Sequence, residues 1–383
     1  MSVTVPKGFR ASGVAAGLKS SGNRDVALVV NEGPMKAAAG VFTSNRVEAA
    51  PVTWTRQVVS GGLVEAVVLN SGGANACTGP AGFEDTHRTA EHVAELVGAG
   101  AAQVAVCSTG LIGVRLPMTT LLAGVTDAYV ELDEDGGLAA AEAIMTTDSV
   151  PKVSAAQSDD FAVGGMAKGA GMLAPSLATM LVVVTTDAVA EPDLLARVLR
   201  KATAVTFDRI DSDGCQSTND TVLLLASGAS GYSPSEGSLQ AAVTAVCADL
   251  AAQLIEDAEG STKSIAIDVV NAATEGDALE VARSIARNNL LKCALYGEDP
   301  NWGRVLAAIG TTTAAFDPYA LDVAINGVWV CRGQAPGEDR DKVDMSGRDI
   351  VITVDLHAGS DNVTVLTNDL TAMYVHENSA YST

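Results

Sequence analysis

The 383-residue sequence predicts an α/β or layered α+β architecture. Apolar runs of strand length, rich in β-branched residues, alternate along the chain with longer alanine-rich segments of helical character. Hydrophobic residues make up 48% and aromatic ones only 4%, so Ala, Val, Leu and Ile must fill the core. The length suffices for two domains of ordinary size or one large one.

The first strand signal is AVVLN at 66–70, followed by the helical stretch AEHVAELVGAGA at 90–101 and a second strand, VAVCS, at 104–108. The pattern repeats with MLVVVTT at 180–186, the helix LLARVLRKATAV at 194–205 and TVLLLAS at 221–227. A long helix follows at 241–258, AAVTAVCADLAAQLIEDA, and it ends at AEGSTK (258–263), where a new strand starts. That point divides the chain into an expected larger domain, 1–262, and a smaller C-terminal α/β domain, 263–383. In the second we expect a strand at 264–270, one helix at 278–295, the turn GEDPNWGR at 297–304, and strands at 321–331 and 349–357.

Composition excludes several functions. Lys plus Arg number 24 and Asp plus Glu 46, so the net charge is 24 − 46 = −22, which repels polyphosphates and anionic membranes. Nucleic acid and membrane are therefore not expected partners. No run of 18 apolar residues occurs, and MSVTVPKGFRASGVAAG does not read as a secretory signal, so the expected location is cytoplasmic. Cys77, Cys107, Cys215, Cys247, Cys293 and Cys331 form no CxxC pair and have no histidine at ligand spacing. They read as buried thiols in a reducing compartment, and no metal or cofactor is expected.

The segment KGAGMLAPSLATMLVVVTTDA, 168–188, passes from a glycine-rich loop with one lysine into a buried strand, with Ala178-Thr179 between them. Of the four histidines none lies in a nucleophile context, and no GxSxG elbow seats a serine. A threonine needs no histidine if its own α-amino group, with an unperturbed pKa of about 7.7–8.0, is the base. An internal Thr179 gains that amine if its hydroxyl attacks the Ala178 carbonyl and the ester is hydrolysed. On spacing alone, the favoured reading is a loop entering a core strand whose first residue happens to be Thr.

The segment resembles the self-cleavage region of the ornithine acetyltransferase family: Lys168-Gly169-Ala170-Gly171-Met172, then Pro175, then Ala178-Thr179-Met180-Leu181. Further motifs similar to that family's recur in order over nearly the whole chain. They are NSGGANACTG (70–79), STGLIG (108–113), IMTTDSVPK (144–152), STNDTVLLLASG (217–228), EGSTK (259–263), EDPNWGR (298–304) and ENSAYST (377–383). Gly73 departs from the pattern, which has Asn there, and this touches only local loop packing.

The resemblance implies a layered αββα self-processing nucleophile fold with a second α/β domain, and cleavage between Ala178 and Thr179 into an α-chain (1–178) and a β-chain (179–383). It implies acetyl transfer from N-acetylornithine to glutamate through an acetyl-threonine, with acetyl-CoA as a further candidate donor and an α2β2 or larger assembly. Thr179 is then the nucleophile, and Thr109 with Gly110 the oxyanion hole. Lys168 and Glu259 complement a zwitterionic substrate, Thr146 offers a hydroxyl, and Asn378 and Thr383 bring the tail to the substrate, with Tyr374, Val375 and Tyr381 as its apolar anchors. Rival readings are an amide hydrolase or aminopeptidase of the same fold, and a binding protein for acetylated amino acids. The DPNWGR segment reads as a structural turn, so Arg304 is left out; STNDT reads as a loop before a buried strand.

Overall fold

The computed structural model describes residues 2–174 and 180–380. Its chain divides into two compact units: residues 2–208 with 215–257, and residues 209–214 with 258–380. The sequence-based boundary stood at 262/263; the units part after Asp257, and a short excursion, 209–214, joins the second.

The first unit contains, in order, β1 (Phe9–Val14), β2 (Val26–Asn31), β3 (Ala37–Phe42), α1 (Ala50–Ser60), β4 (Ala66–Ser71), α2 (Gly79–Val97), β5 (Val104–Thr109), α3 (Met118–Val130) and α4 (Gly137–Ile144). Next come β6 (Lys152–Gln157), β7 (Ala162–Lys168), β8 (Leu181–Thr186), α5 (Pro192–Val205), β9 (Thr221–Ala226) and α6 (Glu236–Glu256). One sheet has the order β1-β2-β4-β5 and the other β3-β9-β8-β7-β6. The sheets lie face to face. Phe9, Val29, Leu69 and Cys107 from the first share one apolar cluster with Met166, Val183, Leu223 and Leu225 from the second.

Helices cover the outer faces. Val93, Leu121 and Val125 of α2 and α3 pack on Val26, Leu28 and Val68. The helices α5 and α6 lie on the second sheet, against β3, β6, β7 and β9. The layers are thus α, β, β, α. Burial on both faces explains why β2, β4, β5, β8 and β9 are uninterrupted buried runs without polar alternation. Helix α6 is long and apolar enough by composition to cross a membrane, yet Leu239, Val243, Val246, Leu250 and Leu254 are buried within the unit, as in a core helix.

The parallel pairs are the ones the sequence makes most legible. β4 and β5 are joined through α2, and β8 and β9 through α5, and in each pair the strands run parallel. The registers fix what meets at one end of the second sheet. Lys168 closes β7 beside Leu181, which opens β8, and Leu181 pairs with Thr221, the first residue of β9. Lys152, opening β6, pairs with Ala167 at the same end.

The second unit carries a six-stranded sheet, order β13-β12-β11-β14-β10-β15, formed by β10 (Ser264–Ala272), β11 (Asp322–Ile325), β12 (Val328–Arg332), β13 (Ala335–Pro336), β14 (Asp349–Asp355) and β15 (Asp361–Asn368). Its helices are α7 (Glu275–Ala286), α8 (Asn289–Tyr296), α9 (Trp302–Ile309) and α10 (Ala372–Ala380). Ile265, Ile267, Ile352 and Val365 pack on Val281, Ile285 and Val305. The single helix expected over 278–295 is two: the Asn288 side chain accepts the Leu291 N–H and starts α8 afresh, so the helical period is interrupted by a cap.

Three thiols, Cys107, Cys247 and Cys331, are buried, and burial pushes those of Cys107 and Cys247 up to about 12. Cys77, Cys215 and Cys293 are exposed, correcting the expectation that all six lie inside; each sits in a loop or on a helix's outer side, where no apolar layer covers it.

One buried carboxylate organises the first hairpin. Asp25 is 0% exposed; its Oδ1 accepts the Ala16 N–H at 2.7 Å, and its Oδ2 those of Gly17, Leu18 and Lys19 at 3.0, 2.6 and 3.0 Å. Removing the acceptor leaves these donors without partners in the interior. Asp25→Ala is expected to lower unfolding free energy by about 3 kcal/mol or more, read as a lower urea midpoint; a midpoint within experimental error of the parent would contradict this role.

Candidate active site

Strand β5 ends at Thr109, and the chain turns at Gly110 with φ +125°. A Cβ there would stand 2.6 Å from the Gly73 nitrogen, so only glycine fits. The Gly73 N–H donates to the Thr109 carbonyl at 3.0 Å and holds the NSGGAN loop against this turn. At Gly73 itself an added Cβ meets Leu116 Cδ2 at 2.7 Å, the tip of a side chain, so the departure from the family pattern stays local. The rest of that motif is architectural. Asn70 Oδ1 accepts from Ser108 Oγ at 2.6 Å, and Asn75 Nδ2 donates to Gly82 O and Thr86 Oγ1 at 2.8 and 2.9 Å.

Lys168 and Thr109 come from different sheets and meet in the interior. They are 1% and 2% exposed, and Lys168 Nζ donates to Thr109 Oγ1 at 3.3 Å. An ammonium has no lone pair to accept with, so the hydroxyl hydrogen of Thr109 must point elsewhere. That leaves Thr109 O–H and Gly110 N–H as donors at the end of one strand, the requirement of an oxyanion site.

Asp148 fixes the lysine end. It is 8% exposed; its Oδ1 accepts from Lys152 Nζ at 2.7 Å and from the Gly169 N–H at 2.6 Å, and its Oδ2 accepts the Thr146 N–H at 2.9 Å. Burial raises its pKa, but the ammonium groups of Lys168 and Lys152 and the Gly169 N–H outweigh it and hold the carboxyl at about 2. Lys152 also pairs with Asp257 at 2.5 Å. Lys19 joins this neighbourhood, its Nζ donating to Met145 O at 2.7 Å and to Arg24 O at 2.8 Å. Burial lowers its pKa and Lys168 adds to that, while Asp25 and Asp148 oppose it.

Of the sequence-predicted residues, Thr109, Gly110 and Lys168 therefore converge, and Thr146 is tied by its backbone to the Asp148 that also holds Gly169. Glu259 and Asn378 belong to the second unit. Asn378 Nδ2 donates to Glu259 Oε2 at 2.9 Å and to Tyr374 O at 3.1 Å. Gly260, next to Glu259, has φ +62°, and a Cβ there would lie 2.3 Å from the Tyr374 nitrogen, so the EGSTK loop and α10 touch backbone to backbone. The proposed apolar anchoring of the tail is corrected in part: Val375 is 60% exposed on α10, which has no buried residue. Ala178, Thr179, Tyr381 and Thr383 lie outside the described residues.

The turn reading of DPNWGR agrees with the geometry: the Asn301 side chain accepts the Arg304 N–H and starts α9, and Glu298, at φ +55°, receives Lys263 Nζ at 2.8 Å. Asp148, Lys152 and Lys19 were not singled out from sequence. The first two stand within IMTTDSVPK, where Asp148 reads as a helix-capping residue. Among the described residues no group of three or more His, Cys, Asp or Glu has metal-binding geometry.

The family model described as the ArgJ family matches residues 10–383. The arginine biosynthesis bifunctional protein ArgJ of Streptomyces avermitilis is 67% identical over 382 residues, covering 100% of both chains. Its counterpart from Mycobacterium tuberculosis is 60% identical over 390 positions, covering 99% of this chain and 96% of the relative. Among solved structures, ornithine acetyltransferase from Mycobacterium tuberculosis complexed with ornithine is 61% identical, with a TM-score of 0.45, over 47% of this chain and 96% of that one. The chain belongs to the ArgJ family.

Proposed function

We propose that the protein transfers the acetyl group of N-acetylornithine to glutamate, regenerating ornithine and forming N-acetylglutamate. It is an acyltransferase of arginine biosynthesis. The observation that carries the chemistry is the contact between Lys168 and Thr109: it joins the oxyanion turn to the β7–β8 connection, the stretch of chain that bears Thr179.

Thr179, freed as an N-terminus by cleavage after Ala178, is the nucleophile. Its α-amine takes the Oγ proton as Oγ bonds to the acetyl carbon, and the charge on the carbonyl oxygen is met by Thr109 O–H and Gly110 N–H. The C–N bond to ornithine breaks, the leaving nitrogen receives the proton, and acetyl remains as an ester on Thr179. Glutamate's amine then attacks the ester, and the same proton path runs in reverse. Lys168 serves the substrate carboxylate and polarises Thr109; Glu259 receives the ammonium; Thr146, Asn378 and Thr383 contribute polar contacts. The α- and β-chains remain associated, as an α2β2 or larger assembly in the cytoplasm. The word bifunctional in the relatives' name fits a second donor, for which we take acetyl-CoA.

Initial rates with acetylornithine plus glutamate, beside acetyl-CoA plus glutamate, test the substrate assignment: transfer from acetylornithine is expected, and its absence in cleaved protein would overturn the reading. Wild type is expected as two fragments on a denaturing gel and Thr179→Ala as one; a single full-length band from active wild type would exclude an N-terminal nucleophile. Thr109→Ala should lower kcat by about 100- to 1000-fold with cleaved protein still obtained, the loss typical of one oxyanion donor. Lys168→Ala should reduce kcat/KM for acetylornithine, and a value within twofold of wild type would remove Lys168 from the site.

A further inference from the structure

Lys19 stands at the candidate site with a charge that no role above employs. Its loop runs beside the turn at Gly110: a Cβ at Gly72, φ +104°, would lie 3.0 Å from Leu18 O, and one at Gly110 would lie 2.9 Å from the Gly72 carbonyl carbon. The loop is pinned from within by Asp25, which accepts the backbone N–H groups of Ala16, Gly17, Leu18 and Lys19. Backbone contacts therefore set the position of Lys19 before its side chain acts.

That side chain reaches the loop after α4. Nζ donates to Met145 O at 2.7 Å, while the N–H of the same peptide unit, that of Thr146, donates to Asp148 Oδ2 at 2.9 Å. Asp148 Oδ1 in turn takes the Gly169 N–H at 2.6 Å, next to Lys168. One peptide unit thus separates the Lys19 ammonium from the carboxylate that fixes the lysine end of the site.

An ammonium carries three N–H donors, and Lys19 spends two of them on the uncharged carbonyl oxygens of Met145 and Arg24. Among the described residues no carboxylate pairs with it directly: Asp25 is occupied by four backbone N–H groups, and Asp148 by Lys152, Thr146 and Gly169. The side chain is half-buried, and burial together with the like charge of Lys168 lowers its pKa against the opposing pull of Asp25 and Asp148. A partly desolvated cation with one open N–H and no ion-pair partner is where a ligand's carboxylate gains most.

We propose that Lys19 receives the side-chain carboxylate of the acceptor glutamate and so selects a dicarboxylate acceptor. The inference rests on the acetyl-transfer reading given above. Both amino acids of that reaction carry an α-carboxylate, which Lys168 serves, and only the acceptor carries a second. Ornithine ends instead in an ammonium, which gains nothing from Lys19. The residue therefore distinguishes one substrate of the pair, and it neither moves a proton nor forms a bond.

Purified enzyme supplied with acetylornithine, and with glutamate or glutamine as acceptor, tests this. Glutamine matches glutamate in shape without the side-chain charge, and the concentration of active enzyme cancels in the ratio of the two kcat/KM values. Wild type is expected to prefer glutamate, and Lys19→Gln to lose about 10- to 100-fold of that ratio, the range of a hydrogen bond to a charged group. Lys19→Arg keeps the charge and should stay near the wild-type ratio; it decides the matter should Lys19→Gln be inactive with both acceptors, and equal use of the two by the arginine variant would then overturn the assignment. An unchanged ratio in Lys19→Gln would also overturn it, whatever the absolute rates, and would leave the lysine only the Met145 carbonyl to hold. So would a wild type that acetylates glutamine as readily as glutamate. Wild type that transfers acetyl to neither acceptor would instead overturn the acetyl-transfer reading.

Discussion

The buried carboxylate of Asp148 is the interaction on which the candidate site depends. It stands between Lys152 and Lys168, both nearly inaccessible to water, and also takes the N–H groups of Thr146 and Gly169. Two buried ammonium groups near one another are tolerable only with negative charge between them, and a buried carboxylate only with donors on both oxygens. The β6 and β7 ends, the loop after α4 and the start of the glycine loop are therefore fixed by one residue. Asp257 completes the arrangement at the end of α6 by pairing with Lys152.

Because the two sheets lie face to face, strand ends from separate layers can share one location, and the site uses that. Thr109 arrives on the first sheet and Lys168 on the second, and Asn219 ties the start of β9 to the carbonyl of Ser108. The turn at Gly110 and the connection that follows β7 are thus joined through side chains rather than by sequence proximity. Small residues make the close approaches feasible: Gly110 against Gly73 in the first unit, and Gly260 against Tyr374 in the second.

Much of this was legible in the sequence, for identifiable reasons. Strands β4, β5, β8 and β9 are buried on both faces and so appear as unbroken apolar runs; β1, β3, β6 and β7 contain Ser, Gly, Lys or Gln and have no such signature. The break between α7 and α8 was missed because Asn288 acts through its side chain within a segment whose apolar period continues. Thr109, Gly110, Lys168, Thr146, Glu259 and Asn378 were reached through family motifs. Asp148 and Lys152 were not, because an acid or lysine beside Ser and Thr reads as a surface group until burial is known. Their burial is a property of the packed layers, which no local pattern encodes.

The central claim is that one threonine, exposed as an N-terminus, carries the acetyl group between two amino acids. Mass spectrometry of the protein after mixing with acetylornithine alone tests it most directly. The account predicts that the fragment 179–383 becomes heavier by one acetyl group, located on Thr179, and returns to its original mass when glutamate is added. Intersecting initial-rate lines together with an unmodified fragment would contradict it and require direct transfer between the two bound substrates.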